Sequence, residues 1–379
     1  MSIPYVRSRI GLIAAITAVM AIGLAACNLF PTQPKPVSDV VYVSGLTHDV
    51  IHVLDAETLE IIDSLTGYRS PDGAVTRFVV TPDGRTIFTV GFSYEPHLGR
   101  ILSQVDLKSG RTVMTLRFPN PSFDDGGALS LYDNGKILTY GGCRGRVFEV
   151  ERLPLLFPFE FGTWHRQGPL DGVLTAGLVC GFEEGKLIRI QSMWPPGTVD
   201  EINIDSICKD RSLYVARVAL HPGGDLLSVI AFEWQEAQFT YQVLDLSSNT
   251  ILYELPLPNY TDPCGLHPLS INASGTIGVI LNPGSDCFEM YVGEVYVIDL
   301  VNFQVLYHTE PANTWGERQI DEWAAFTSDE RAIIIAGYNW TEGTTIKRIS
   351  LETFELECSV TMGRGSRRIA GLAVAPSPD

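Results

Sequence analysis

From residue 39 onward, short apolar segments alternate with turn-forming residues, and this alternation repeats along the chain. One recurring unit is an apolar segment that ends in a polar residue, followed by a short turn and a second apolar segment. Its clearest copies end at Asp55, Asp106, Asp245, Asp299 and Ser350. A second unit is an apolar segment followed by a Pro/Asp/Gly-type turn, as at 78–84, 220–224 and 271–275. Short apolar runs bounded by turn residues predict strands, so we expect an all-β chain.

The two units alternate, so each repeat contains about four strands. The repeat length of about 49 residues is typical of β-propeller blades, and residues 39–379 contain about seven such lengths. The chain begins with the middle strands of one repeat and ends, at 371–379, with a first strand and its turn. We therefore predict a seven-bladed β-propeller of four-stranded antiparallel blades. Pairing of the C-terminal strand with the N-terminal strands would close the ring and remove exposed sheet edges.

Two segments carry a family resemblance. VYVSGLTHDVIHVLDAETLEIIDSL at 41–65 and FVVTPDGRTIFTVG at 78–91 resemble the YVTN-type branch of seven-bladed β-propellers, and WD40-like repeat proteins more distantly. The similarity extends over most of 39–379 but weakens in the fourth repeat, where WHRQGPLDGVLTAG at 164–177 replaces the turn motif. The resemblance implies a fold and no particular activity.

The first 26 residues are predicted to be a lipoprotein signal peptide. Arg7 and Arg9 precede an apolar run at 11–26, and no acidic residue occurs before Asp39. As a helix, this run would span about 24 Å, which is short of the roughly 30 Å core of a bilayer. It ends in LAAC at 24–27, which resembles the bacterial lipobox, whose cysteine carries diacylglycerol and fatty acyl chains such as palmitate.

We therefore expect a lipidated Cys27, a Pro-rich tether over 27–38 and a propeller domain over 39–379. This organisation predicts a membrane-anchored lipoprotein of the cell envelope, periplasmic or on the cell surface, which contacts the membrane through the lipid on Cys27. An uncleaved anchor and an ordinary secretory signal are the alternatives.

Composition excludes some partners. The 27 Lys and Arg residues against 44 Asp and Glu residues give a net charge of −17. Because binding to phosphate backbones and to anionic lipid needs clustered cations, we expect no nucleic-acid partner and no electrostatic docking on a membrane.

The cysteines predict disulfides, because an exported chain permits them. Once the propeller resemblance is accepted, Cys264 and Cys287 fall in loops that emerge on one face, and Cys180 and Cys208 hold the same relation in the fourth repeat. We predict these two pairings. Cys358 lies in a predicted strand and is expected to be a buried free thiol. No cysteine spacing matches a zinc site, so no metal is predicted.

The chain contains none of the common catalytic or nucleotide-binding motifs, so we predict no catalytic residue and no cofactor. Arg77 and Arg217 both stand five residues before a turn proline, which places them at one level of the predicted central channel. They are candidate ligands for a carboxylate or phosphate; alternatively, each pairs with a neighbouring acid and ties two blades together. His221, near an inner-strand turn, is expected to have a hydrogen-bonded structural role.

The predicted loops of one face are acidic and aromatic, which is typical of binding surfaces. The candidate binding residues there are Asp124, Asp125, Trp315 and Trp323. Alternatively, the carboxylates are ordinary surface residues and the indoles pack against neighbouring blades.

The leading hypothesis is a lipid-anchored, non-enzymatic scaffold whose loop face binds an envelope protein or a small-molecule ligand. The alternative is a propeller enzyme, a lactonase-like hydrolase or an amine-oxidising subunit, that uses the channel mouth.

Overall fold

Every regular element in the described residues is a β-strand. The structure is a computed structural model. It describes residues 38–45, 50–66, 75–93, 99–119, 128–132, 137–141, 146–149, 159–160, 174–175, 178–183, 187–193, 196–203, 213–233, 236, 238–257, 269–282, 294–309, 319–339, 343–363 and 369–378.

The strands follow one another along the chain with only turns and connections between them. The first fourteen are β1 (Asp39–Gly45), β2 (Val50–Asp55), β3 (Ile61–Thr66), β4 (Val75–Val80), β5 (Thr86–Ser93), β6 (Gly99–Asp106), β7 (Arg111–Pro119), β8 (Ala128–Tyr132), β9 (Ile137–Gly141), β10 (Arg146–Glu149), β11 (Phe159–Glu160), β12 (Leu174–Thr175), β13 (Leu178–Glu183) and β14 (Leu187–Met193). The others are β15 (Pro196–Asn203), β16 (Leu213–Leu220), β17 (Leu226–Glu233), β18 (Gln238–Asp245), β19 (Thr250–Leu257), β20 (Leu269–Ile271), β21 (Ile277–Asn282), β22 (Glu294–Asp299), β23 (Gln304–His308), β24 (Gln319–Phe326), β25 (Ala332–Asn339), β26 (Gly343–Ser350), β27 (Leu356–Met362) and β28 (Ile369–Pro376).

Within the described residues, these strands form seven four-stranded antiparallel sheets. Sheets 2 to 7 each pair four consecutive strands: β4–β7, β8–β11, β12–β15, β16–β19, β20–β23 and β24–β27. Sheet 1 has the order β28-β1-β2-β3, and its β28 pairs with β1 from Val40↔Ala375 to Ser44↔Gly371. The predictions of an all-β fold and of four-stranded antiparallel sheets are confirmed. We call β28, β4, β8, β12, β16, β20 and β24 the first strands of sheets 1 to 7.

Apolar side chains fill the space between consecutive sheets. Phe239 and Tyr241 of sheet 5 pack against Ile280 and Ile298 of sheet 6. Corresponding clusters lie between sheets 6 and 7, between sheets 7 and 1, and between sheets 1 and 2. Residues 332–337 of β25 are all buried. Such continuous apolar burial is expected of a strand whose sheet is covered on both faces.

Sheets 2, 5, 6 and 7 have short turns at one end, which join the first strand to the second and the third to the fourth, and sheet 1 has the second of these two turns. We call this end the turn face. The other connections leave from the opposite end, the loop face, because successive strands are antiparallel. At the turn face, Asp55 Oδ1 accepts hydrogen bonds from the amides of Glu57 at 2.9 Å and Thr58 at 2.8 Å. Asp245 and Asp299 accept the equivalent pair of amide hydrogen bonds. These side-chain hydrogen bonds fix the turns, which is why such positions favour aspartate.

The turns between third and fourth strands that start at Asp55, Asp106, Asp245, Asp299 and Ser350 share a left-handed backbone four residues later. The five residues, with φ between 53° and 64°, are Leu59, Gly110, Asn249, Phe303 and Phe354. The two phenylalanines reach back to the fourth strand of the preceding sheet. Phe303 stacks on Tyr253 with ring centroids 5.8 Å apart, and Phe354 stacks on Tyr307 at 6.0 Å. Each left-handed phenylalanine therefore fastens the outer part of its sheet to the sheet before it.

Contacts between neighbouring turns also join the sheets. Glu330 of sheet 7 accepts hydrogen bonds from the amide of Ser274 in sheet 6 at 2.8 Å and from its hydroxyl at 2.6 Å. In the next pair of sheets, Asp39 accepts the amide of Ser328 at 2.7 Å and its hydroxyl at 2.6 Å. These bonds hold β1 at its first residue on the turn face.

Candidate functional site

The candidate arginines occupy a recurring position in the first strands. In β4 and β16 the pairing register skips one residue, and the next paired residue is Arg77 or Arg217. The same skip occurs in β24 before Trp323 and in β28 before Gly371. These bulges interrupt the hydrogen bonding between the first and second strands of their sheets. The side chains of Arg77 and Arg217 lie outside the described part of the structure.

The two described residues at this position both face the following sheet. Trp323 is half-buried, and its indole Nε1 donates to the carbonyl oxygen of Ile369 in β28 at 3.2 Å. Gly371 approaches Phe78 of sheet 2 so closely that an added Cβ would lie 3.0 Å from the ring. This equivalence supports the alternative interpretation for Trp323, in which the indole packs against a neighbouring sheet. Both roles considered for Arg77 and Arg217 stay predictions.

A buried hydrogen-bond chain lies inside sheet 5. His221 Nε2 lies 2.9 Å from Ser228 Oγ, which lies 2.7 Å from Tyr241 OH. Burial lowers the pKa of His221 to about 4, against a smaller opposing effect of Asp225. Burial also raises the pKa of Tyr241. Ser228 and Tyr241 are fully buried, so this histidine–serine contact is closed to a substrate. The predicted hydrogen-bonded structural role of His221 is confirmed.

Sheet 6 contains a second polar cluster, at the loop-face end. Glu294 is fully buried at the start of β22, and its carboxylate lies 3.3 Å from both Tyr296 OH and His308 Nε2. The rings of Tyr296 and His308 stack at 4.2 Å. Burial, followed by the charge of Glu294, raises the pKa of Tyr296. The sequence signal is a glutamate that opens an apolar strand, GEVYVID at 293–299.

The remaining predicted site residues lie outside the described part of the chain. They are Cys27, Asp124, Asp125, Cys208, Cys264, Cys287 and Trp315. Cys180 is in β13, but its side chain is not described. The two disulfides and the loop-face binding residues therefore stay predictions. Cys358 is a free thiol in a strand, β27, as expected, but it is half-buried rather than buried, and it donates to the carbonyl oxygen of Glu57 at 3.3 Å.

Within the described ranges, no group of three or more His, Cys, Asp or Glu residues is arranged to hold a metal ion. Among the same residues, no helix is long and apolar enough to cross a membrane.

Comparison with known proteins identifies a fold. No protein-family model matches the chain, and no curated protein matches it. Hydrazine synthase of Kuenenia stuttgartiensis is similar in structure, with a TM-score of 0.53 and 12% identity over 73% of this chain and 77% of that chain. The dihydro-heme d1 dehydrogenase NirN, solved in complex with DHE, has a TM-score of 0.53 and 13% identity over 90% of this chain and 77% of that chain. A chain of the mitotic checkpoint complex has a TM-score of 0.51 and 9% identity over 80% of this chain and 81% of that chain.

These three are propeller-type proteins, so the described sheets adopt a β-propeller-type fold. At such low identities the likeness concerns the fold alone.

Proposed function

We propose that the seven sheets are the blades of a closed seven-bladed propeller, with sheet 1 as the blade that joins the two ends of the chain. The support is the pairing of β28 with β1, together with contacts of β28 with the first strands β4 and β24 of the two adjacent sheets. In such a ring the N-terminal and C-terminal strands pair in one blade, and every blade packs between two neighbours.

The proposed function is that of a lipid-anchored binding scaffold of the cell envelope. The arrangement of connections carries this proposal. At the turn face the described turns are short and hydrogen-bonded, whereas the longer connections 258–268 and 283–293 leave from the loop face. Long loops on a rigid scaffold are where proteins usually place binding residues. The ligand is an envelope protein or a small molecule that the acidic and aromatic loops recognise.

A pull-down from solubilised membranes tests the scaffold. Three baits are compared: the wild type, a loop-face variant and a matched control. The loop-face variant carries Asp124→Ala, Asp125→Ala and Trp315→Ala together, and the control carries Lys108→Ala and Ser248→Ala on exposed turns of the turn face. We expect wild type and the control to retain the same partner and the loop-face variant to lose it while its melting temperature is unchanged. Equal recovery with all three baits would contradict a loop-face site.

Lipid attachment is tested separately. Labelling with radioactive palmitate is expected to mark the wild-type protein, and Cys27→Ala is expected to abolish the label and release the protein from membranes. A Cys27→Ala variant that stays in the membrane fraction would contradict attachment at this residue.

The enzymatic alternative depends on Arg77 and Arg217 as anion ligands at the channel mouth. Trp323, which occupies the equivalent position and bonds to the next sheet, serves as the reference. If the arginines tie sheets together, Arg77→Ala and Arg217→Ala lower the melting temperature as Trp323→Ala does. If they form a site, the variants stay folded and lose affinity for carboxylate or phosphate ligands.

A further inference from the structure

The two faces of sheet 5 differ in chemistry. Phe239, Tyr241 and Val243 of β18 belong to the cluster that packs against sheet 6. Because successive side chains of a strand point to opposite faces, Thr240 and Gln242 lie on the other face. β16 of sheet 5 lies beside β13 of sheet 4, so this other face is turned towards sheet 4. Sheet 5 therefore places polar side chains of its third strand on the face that adjoins sheet 4.

Two oxygen atoms on this face are buried without a partner. Gln242 is fully buried, and Thr240 is 4% exposed. Within the described part of the structure, neither Gln242 Oε1 nor Thr240 Oγ1 has a hydrogen-bond partner. Same-face neighbours on one strand are about 7 Å apart, so the two residues form one local site. Buried polar groups in native proteins are normally hydrogen-bonded, so two such atoms on one surface point to a ligand.

The orientation of the Gln242 amide is set by its neighbour in β19. Its Nε2 donates to Glu254 Oε2 at 2.9 Å. Because an ionised carboxylate only accepts hydrogen bonds, the amide nitrogen must face Glu254, and Oε1 is left for another partner. Ala231, which pairs with Thr240, contributes only a methyl group beside that hydroxyl. This surface therefore offers an acceptor at Gln242 and a hydroxyl at Thr240.

Polar side chains continue from this pair to the loop face. Gln238 begins β18 and pairs with Glu233, the last residue of β17. By alternation, both side chains lie on the same face as Thr240. Glu233 is buried, and Gln238 is half-buried. The polar row thus runs from the loop-face end of the sheet to Gln242, about 14 Å inward.

The chemistry of the two atoms selects the ligand. Gln242 Oε1 can only accept a hydrogen bond, whereas the Thr240 hydroxyl can both donate and accept. A deprotonated acid has no proton to donate to Oε1, and the carboxylates of Glu233 and Glu254 on the same face also disfavour an anion. An ammonium group could donate to both atoms but would leave the Thr240 proton without an acceptor. A hydroxyl group can satisfy both atoms.

We propose that Thr240 and Gln242 bind a hydroxyl-bearing ligand between sheets 5 and 4, at a site separate from the loop-face residues of the proposed function. The hydroxyl groups come from bound water or from a small polyol or sugar. Either source completes the hydrogen bonds of both side chains, and the polar row from Gln238 leads from the loop face to the site.

Replacing the threonine with the isosteric valine tests the site in urea unfolding of the full-length protein. If the Thr240 hydroxyl binds a ligand, Thr240→Val removes a hydrogen bond and should raise the unfolding equilibrium constant about 2- to 10-fold. Thr344→Val is the matched control. Thr344 Oγ1 in β26 is also buried without a partner, and no second such atom lies on that strand within the described residues. Its replacement should leave stability unchanged or raise it.

An unchanged or more stable Thr240→Val variant, or an equal loss in both variants, would overturn the site. Calorimetric titration with glycerol and with glucose distinguishes the two sources. Saturable binding that Thr240→Val loses and Thr344→Val keeps would assign the ligand to a polyol or sugar. If neither probe binds and Thr240→Val is still destabilised, the ligand is water. A crystal structure of the wild type should then show a water oxygen within about 3.2 Å of each atom, and its absence from both would overturn the proposal.

Discussion

Replacing Gly84 with alanine tests the contact between sheet 2 and the C-terminal strand. Gly84 has a φ of 67°, and an added Cβ would lie 1.8 Å from the carbonyl oxygen of Pro376 and 2.9 Å from its carbon. The left-handed conformation costs a residue with a Cβ about 1–2 kcal/mol. Because the overlap is with backbone, relieving it requires a main-chain shift, which typically costs a further 1–3 kcal/mol or so. We expect Gly84→Ala to lower the free energy of unfolding by about 2–5 kcal/mol.

Gly275→Ala is the matched control. Its φ of 73° gives a similar backbone cost, but its added Cβ would lie 3.1 Å from Cδ of Pro222, a ring atom that can move slightly. The expected loss is about 1–2 kcal/mol. The difference between the two variants therefore isolates the overlap with Pro376.

Both variants can be measured by urea unfolding followed with tryptophan fluorescence. Hydrogen exchange gives a second readout, because Gly84→Ala should accelerate exchange in β28 and Gly275→Ala should not. Equal losses of stability in the two variants, with unchanged exchange in β28, would refute the contact and with it one support for the proposed ring.

Three further predictions follow from other positions. At Phe354, where φ is 58°, both Phe354→Gly and Phe354→Ala lose the stack on Tyr307, but the glycine variant should be the more stable by about 1 kcal/mol in urea unfolding, and the opposite order would contradict the left-handed assignment. The pKa of His221 is about 4 in the folded protein and 6.5 when unperturbed, so the unfolded state binds more protons between these values; stability should fall as the pH is lowered from about 6.5 to 4, and less steeply in His221→Gln. Deleting 371–379 should cause aggregation in light scattering, whereas deleting 28–36 should leave the circular dichroism spectrum and melting temperature unchanged; a soluble, cooperatively unfolding monomer after the C-terminal deletion would count against the proposed ring.

Local patterns were sufficient to predict the strands and the turns that Asp55, Asp245 and Asp299 fix. The reason is that an acidic residue followed by turn-forming residues contains the whole hydrogen-bonding unit within four positions. The left-handed phenylalanines could not be predicted in this way. Phe303 and Phe354 occupy a conformation that favours glycine or asparagine, and the tyrosines against which they stack belong to the preceding sheet.

The candidate site was harder to predict for the same reason. The common spacing of Arg77 and Arg217 was visible because each precedes a proline, whereas Trp323 stands at the same spacing before Ser328 and was assigned to the loops instead. Only the register shifts place all three at one position. Likewise, Glu294 and His308 are fourteen positions apart in sequence and lie on two paired strands. A local hydrophobic pattern does not show that their side chains meet.

The side-chain hydrogen bonds between sheets described above run in one direction. Ser274 of sheet 6 donates to Glu330 of sheet 7, while Trp323 and Ser328 of sheet 7 donate to Ile369 and Asp39 of sheet 1. Sheets 6 and 7 thus each present donors to the sheet that follows, a head-to-tail contact of a kind that can repeat until it closes on itself. In sheet 1, one acceptor, Ile369, comes from the C-terminal end of the chain and another, Asp39, from the N-terminal part. If either end failed to join sheet 1, the half-buried indole of Trp323 or the exposed amide and hydroxyl of Ser328 would lose their acceptors. These donors of sheet 7 therefore have their partners only when both ends of the chain have assembled, which couples closure of the proposed ring to completion of the fold.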